Sequence, residues 1–249
     1  MKAIILAAGQ GTRLRPLTND KPKCMVEYKG KTIITAILET IRHCGIENIA
    51  IVGGYKINVL KEYLKNQNIV FFENKEYENT NMVSTLFCAE EWMDDDLIIS
   101  YADIIYTDSV LKKLLSEPAP IATVVDLKWF ELWKHRMNDP LVDAETMKLD
   151  ESENILELGK KPKSYDEIQG QYMGLIKIKK EIISQLVAFY ATLSREVVYD
   201  GRNFAQMYMT SFLQMIIDHV MPIKAVSVHG GWVEIDCLQD MKSEMFFHD

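Results

Sequence analysis

Residues 7–23 read AAGQGTRLRPLTNDKPK, and they follow the apolar run Ala3–Leu6. A short apolar run that stops at glycine reads as a buried strand feeding a loop. In a parallel sheet, ligands sit beyond the carboxyl ends of the strands, which is where this loop falls. Gly9 and Gly11 let backbone N–H groups approach a phosphate chain with no Cβ in the way. Arg13 adds a permanently charged fork suited to phosphate oxygens, and Lys23, after Pro22, adds a point charge. Two rival phosphate motifs fail. A dinucleotide fingerprint needs a third glycine where Leu14 stands. A Walker loop ending in Gly30-Lys31-Thr32 needs glycine where Met25 stands. Taken alone, the loop also reads as a glycine-rich turn carrying two surface cations.

Outward from this loop the first half of the chain alternates. Ile33, Ile34, Ile37, Leu38, Ile41 and Cys44 share one helical face, and Gly45 stops that helix. Asn48–Val52, Ile69–Phe72, Leu97–Ser100 and Ile121–Val125 read as strands. Val59–Leu64, Val83–Glu90 and Val110–Leu115 read as the intervening helices. Such alternation predicts βαβ units, hence an α/β fold with a mostly parallel sheet flanked by helices. The stretch from about Leu127 to Lys163 is rich in charge and turns, and short strands forming a small β-arm are expected there. Tyr172–Ile178, Ala225–Val228 and Trp232–Ile235 read as strands. Ile182–Leu193, Phe204–Ile217 and Cys237–Phe246 read as helices. No Gly/Ser/Pro linker and no internal repeat interrupts the chain. One domain over 1–249 is expected, with an arm inserted at about 127–175.

Composition narrows the function. The 249 residues are 48% hydrophobic and 26% charged, a globular balance. A formal net charge of −8 argues against wrapping nucleic acid or lying on anionic lipid, while leaving room for a local anion site. No apolar run approaches the roughly 18 residues a membrane span requires. The first nine residues, MKAIILAAG, read as a first strand and not as a signal peptide. Cys24, Cys44, Cys88 and Cys237 form no CxxC pair, and the five histidines form no HxxxH. A reduced, cytoplasmic setting is the expectation. The thirteen methionines read as core filler.

The string Gly9, Gly11, Thr12, Arg13, Leu14, Pro16, Leu17, Thr18, Pro22, Lys23 resembles the signature of the sugar-phosphate nucleotidylyltransferase superfamily. Downstream, ENKEYENTNMVSTL (residues 73–86), Trp133–Leu141 with Asp143–Thr146, EIQGQYMG (residues 167–174), Met209–Gln214 and Gly231–Asp240 are similar to the subgroup that transfers CMP to small phospho-acceptors. The resemblance covers nearly the whole chain. It implies a Rossmann-like nucleotidyltransferase fold, an NTP bound under the loop, and two aspartates holding Mg²⁺. CTP is the implied donor. The Ala7, Ala8, Gly9, Gly11 and Thr12 backbone and the Asn81 amide are the implied nucleotide contacts. By the same resemblance Arg13 and Lys23 are the catalytic pair on the α-phosphate and the departing pyrophosphate.

Asp103 and Asp236 each follow a predicted strand and match the family's metal positions. The chemistry agrees with that assignment. Moving a nucleotidyl group onto a phosphate needs no protein nucleophile, because the acceptor is already an anion. The obstacle is repulsion between two anions, so positioning and charge neutralisation carry the catalysis. Magnesium takes one or two carboxylates together with substrate phosphates and waters. Glu234, two residues before Asp236, points to the same face of a strand and either joins the metal site or stands behind its ligands.

On the acceptor side, Lys161 aligns with the lysine of the family's Glu-Lys-Pro. Lys160 replaces the glutamate, which speaks against a hexose-phosphate acceptor. Gln169 and Trp129 complete the expected acceptor pocket. An amino-acid acceptor would want an acid and a cation, which Arg136, Asp143, Glu145, Gln169 and Gln171 could supply. A choline headgroup would want an aromatic cage, and Trp129 and Trp133 read as a core pair or as such a cage. The resemblance favours phosphoglutamine, with phosphocholine and an aminoalkylphosphonate as alternatives. A nucleotide-sensing module without turnover is the reading from a different class, and both retained acids speak against it. A homo-oligomer stays open.

Overall fold

The run Lys2–Ala7 is buried on both faces. Ala3, Ile5 and Ala7 enter one apolar cluster, and Ile4 and Leu6 enter the other. A strand covered on both sides has no polar face to alternate with, hence its continuous apolar sequence. The computed structural model describes residues 1–136 and 139–244. The elements run β1 (Lys2–Ala7), β2 (Glu27–Tyr28), β3 (Lys31–Thr32), α1 (Ile33–His43), β4 (Asn48–Gly53), α2 (Ile57–Tyr63) and β5 (Ile69–Glu73). Next come α3 (Met82–Phe87), β6 (Leu97–Tyr101), β7 (Ile104–Tyr106), α4 (Asp108–Ser116), β8 (Ile121–Asp126) and α5 (Trp129–Arg136). The last are β9 (Met147–Leu149), β10 (Ile155–Leu158), β11 (Gln171–Ile178), α6 (Lys180–Thr192), α7 (Met209–His219), β12 (Lys224–Val228) and β13 (Trp232–Glu234).

Seven strands form the central sheet in the order β12-β8-β11-β6-β1-β4-β5. All pairings are parallel except those of β11, which runs antiparallel to both β6 and β8. The Rossmann-like, mostly parallel mixed sheet expected from the sequence is present. Helix α1 starts where the Thr32 side chain accepts the Thr35 N–H and ends before Gly45, whose φ is +84°. Its Ile33, Ile34, Ile37, Leu38 and Ile41 are all buried against one face of the sheet. Each such side chain contributes about 1.5–3 kcal/mol by leaving water. Helices α4 and α5 bury side chains in the same cluster, while α3, α6 and α7 cover the other face. No helix among the described residues is long and apolar enough to cross a membrane.

Four elements differ from the sequence reading. The charged stretch after Leu127 opens with α5, because Trp129, Leu132, Trp133 and Arg136 stand one helical face apart and are all buried. The expected short strands follow as the β9–β10 hairpin, tied to the sheet edge by Ile155 N–H to Ile223 O and Ala225 N–H to Glu153 O. The expected helix from Phe204 begins only at Met209. Asn203 caps a separate turn at Phe204–Gln206, and the backbone is extended at Tyr208. The expected helix from Cys237 is a single turn at Asp240–Lys242, and its last residues lie outside the described ones. Finally, β13 does not join the central sheet. It pairs antiparallel with β7, a strand the sequence reading did not separate.

Candidate active site

Chain order reverses between the neighbours β1 and β6. Strands β4 and β5 lie beyond β1, and β11 and β8 lie beyond β6. Such a reversal leaves a crevice outside the strand carboxyl ends. A cavity of about 330 Å³ opens there, within the size range of small-molecule sites. Ala7 and Ala8 lead from β1 into it, and Gly9, Gly11, Thr12 and Arg13 line it. Gly11 has φ +63°, and a Cβ there would stand 2.8 Å from the Cβ of Lys23. Glycine is therefore required for the loop to fold over Lys23. The Thr18 hydroxyl donates to the Gly11 carbonyl at 2.8 Å and pins the turn. A Cβ on Gly9 would meet no protein atom within 4 Å, so packing gives no reason for glycine at that position.

The acids arrive from two directions. Asp103 follows β6. Asp236 follows β13, whose register with β7 sets Glu234 opposite Ile104. The Ile235 N–H then donates to the Asp103 carbonyl at 2.8 Å, joining the two acid-bearing loops. One oxygen from each of Asp103, Glu234 and Asp236 lies within 4.8 Å of the others. The Lys23 ammonium bridges them, 2.8 Å from Asp103 Oδ2 and 2.6 Å from Asp236 Oδ1. Arg13 pairs with the other oxygen of Asp236. Burial works against a charged Lys23, but Asp103, Asp236 and Glu234 outweigh it and its pKa rises. It is a full cation at neutral pH. Glu234 is pushed up to about 7, chiefly by desolvation, which Arg136 and Lys23 oppose and Asp103 and Asp236 reinforce.

This cluster suits a divalent metal. The buried Oδ1 of Asp103 has no hydrogen-bond partner among the described residues, an expensive state for a carboxylate oxygen. The donor set is all carboxylate oxygen, which matches hard cations such as Mg²⁺ and not thiolate-loving ones. Glu234, whose place in or behind the ligand set the sequence left open, contributes an oxygen to the same cluster.

Asn81, which also lines the cavity, caps α3, its side-chain oxygen accepting the Met82 N–H at 2.8 Å. Buried Asn74 donates to both Thr80 Oγ1 (2.8 Å) and Thr85 Oγ1 (2.9 Å), fixing that wall. The Asn81 side chain reaches the cavity with its oxygen already engaged, and its amide nitrogen lies 3.4 Å from the Gln206 carbonyl.

The residues expected on the acceptor side do not line this cavity. Trp129 is buried in the core, edge-on to Trp133 with ring centres 5.9 Å apart. Lys161 donates to the Leu141 and Val142 carbonyls, both at 2.5 Å, and fastens that turn. Gln169 accepts the Leu149 N–H at 2.6 Å and so holds β9. Each side chain satisfies a local backbone or packing demand of the arm. Gln171 likewise bonds the Glu145 backbone, at 3.1 Å to its N–H and 2.6 Å to its carbonyl. Tyr77, Thr85 and Tyr101 line the cavity without having been singled out for it. Tyr101 carried a signal, since it lies two residues before Asp103 at a strand end. Tyr77 carried one only as part of the ENKEYENTNMVSTL resemblance.

Comparison with known proteins identifies the family and the fold. Residues 3–148 match the MobA-like NTP transferase domain. The chain is 49% identical to the CTP:phosphoglutamine cytidylyltransferase of Campylobacter jejuni, over 98% of this chain and 99% of that protein. Among solved structures, the inositol-1-phosphate CTP transferase of T. maritima superposes with a TM-score of 0.75 at 24% identity, covering 97% of this chain and 91% of that one. The CTP:phosphocholine cytidylyltransferase of Streptococcus pneumoniae superposes with a TM-score of 0.69 at 19% identity, covering 96% and 95%. At these identities the two structures speak for the fold.

Proposed function

This chain belongs to the MobA-like NTP transferase family, and from that premise we propose that it moves CMP from CTP to a small phospho-acceptor, with phosphoglutamine as the acceptor. The observation that carries the reading is the convergence of Lys23, Asp103, Glu234 and Asp236 under the Gly9–Arg13 loop. The choice of CTP and phosphoglutamine is supported by the 49% identity over almost the full length of both chains.

The triphosphate lies along the Gly9–Arg13 loop, where backbone N–H groups and Thr12 meet its oxygens. Asp103 and Asp236, with Glu234 beside them, would hold Mg²⁺, which supplies charge neutralisation and polarisation of the phosphates when bound. Lys23 and Arg13 then turn from the carboxylates to the phosphates. An oxygen of the acceptor phosphate attacks the α-phosphorus in line, and pyrophosphate leaves. Lys23 stabilises charge growing on the α-phosphate, and Arg13 stabilises the departing pyrophosphate. The Ala7–Gly9 backbone and Asn81 face the base. Lys161, Gln169 and Trp129 belong to the segment that shapes the acceptor side.

The buried Trp129–Trp133 pair offers no cage for a quaternary ammonium, which counts against phosphocholine. The test is pyrophosphate release with Mg²⁺, crossing the four common NTPs against phosphoglutamine, phosphocholine and glucose-1-phosphate. Release with CTP and phosphoglutamine alone is expected. Release with a different pair would reassign the substrates. Nucleotide binding with no release from any pair would point to a different acceptor first and to a sensing module second.

A further inference from the structure

Arg136 ends α5, and only 6% of its side chain is accessible. Its Nη1 lies 2.5 Å from Glu234 Oε2, and its Nε lies 3.0 Å from Asp240 Oδ1. The guanidinium also sits over the Trp133 ring, 5.1 Å from its centre, which fixes its plane. Asp240 is completely buried. Its second oxygen, Oδ2, accepts the backbone N–H groups of Asp236 and Cys237, each at 2.8 Å. One guanidinium therefore reaches the acid cluster by two routes. It grips the Glu234 carboxylate directly, and through Asp240 it grips the peptide that carries Asp236.

A buried ion pair of this kind is a poor device for stability alone, because well-packed apolar residues of similar volume do as well. What the pair does here is directional. Its outward bonds go to Glu234 and to the Asp236–Cys237 backbone. Arginine suits the task and lysine does not, since a planar fork can bind two acids at once in fixed directions.

We propose that Arg136 and Asp240 are positioning residues, which hold Glu234 and Asp236 in place beside Asp103 and thereby set the affinity for the divalent cation. This rests on the cytidylyltransferase reading of the same cavity. Neither residue touches the reacting atoms. They act through the two acids, as groups behind metal ligands do elsewhere.

The test measures Mn²⁺ binding by electron paramagnetic resonance, with a CTP analogue carrying a methylene between the α- and β-phosphorus. Wild type, Asp240→Asn and Arg136→Lys are compared, with melting curves and Mg²⁺ titrations of turnover alongside. Asp240→Asn should weaken Mn²⁺ binding by roughly 10–100-fold and raise the apparent KM for Mg²⁺ in parallel. Its kcat at saturating Mg²⁺ should stay within about threefold of wild type. Arg136→Lys keeps the charge but loses the fork, and should weaken binding by roughly 3–10-fold. A merely structural role would lower melting temperature and kcat together while leaving Mn²⁺ affinity unchanged, and that result overturns the proposal. Should Asp240→Asn not fold, wild-type affinity in Arg136→Lys overturns it equally. Wild-type protein that binds no Mn²⁺ would overturn the parent reading and this proposal with it.

Discussion

Lys23→Met is the most informative substitution, because it keeps an unbranched side chain only one atom shorter and removes the ammonium with its charge and its donors. In the structure that charge lies 2.8 Å from Asp103 and 2.6 Å from Asp236, in a side chain 13% accessible. Removing it has two separable effects. The first is on folding. Asp103 loses its ammonium partner and Asp236 keeps Arg13, so three acids stand together with less compensation. The cost lies between the ~1 kcal/mol of an exposed pair and the ~3–5 kcal/mol of a fully buried one. Added Mg²⁺ should restore part of it, since a divalent cation supplies the missing charge. The second effect is on the chemical step. Losing one charged donor aimed at transition-state charge costs about 10²–10³ in kcat. At 1.36 kcal/mol per decade that is about 2.7–4.1 kcal/mol of barrier. Single-turnover pyrophosphate release at saturating CTP and Mg²⁺ reads this step, and melting with and without Mg²⁺ reads the first effect. Turnover within threefold of wild type would refute the catalytic role. A melting temperature untouched in Mg²⁺-free buffer would refute the counter-ion role.

Other substitutions test the remaining parts. Asp236→Ala should cut turnover by at least about 10³-fold with a small change in melting temperature, because Lys23 retains Asp103; an active variant contradicts the metal assignment. Gly11→Ala should cost about 1–3 kcal/mol in urea unfolding, from a left-handed backbone and a Cβ 2.8 Å from that of Lys23. Gly9→Ala should change stability by less than about 0.5 kcal/mol yet raise the KM for CTP, since its Cβ would meet only the ligand. Glu145 is pushed up to about 7, first by desolvation and then by Asp143, Glu234 and Asp200. A carboxyl raised on folding binds more protons folded than unfolded, so its penalty grows as pH rises from about 4.5 to about 7. Glu145→Gln should therefore raise the melting temperature more at pH 8 than at pH 5. An equal shift at both values would contradict the assignment.

What the sequence made legible follows from how local each signal is. The Gly9–Lys23 loop is contiguous, and its two glycines and two cations read directly as a phosphate-facing turn. Asp103 and Asp236 are far apart in the chain but each ends a recognisable strand. Their meeting depended on β7 and β13 pairing, which no local pattern announced. The Arg136–Asp240 bond was illegible for the same reason, since it joins residues 104 apart. Arg136 could be read only as a candidate for the acceptor. Helix α5 was hidden by the charges Glu131 and Lys134 on its outer face, although Trp129, Leu132 and Trp133 already carried the helical spacing. Polar side chains in a turn-rich arm have two possible uses, ligand contact and local backbone bonding, and Lys161 and Gln169 show the second here.

The most direct test of the central claim is phosphorus NMR of the protein incubated with CTP, phosphoglutamine and Mg²⁺. The account predicts a new unsymmetrical diphosphate, with CMP joined to the acceptor phosphate, growing in equal amount with pyrophosphate. Consumption of CTP without a joined product, or no consumption with a fresh acceptor present, would contradict it.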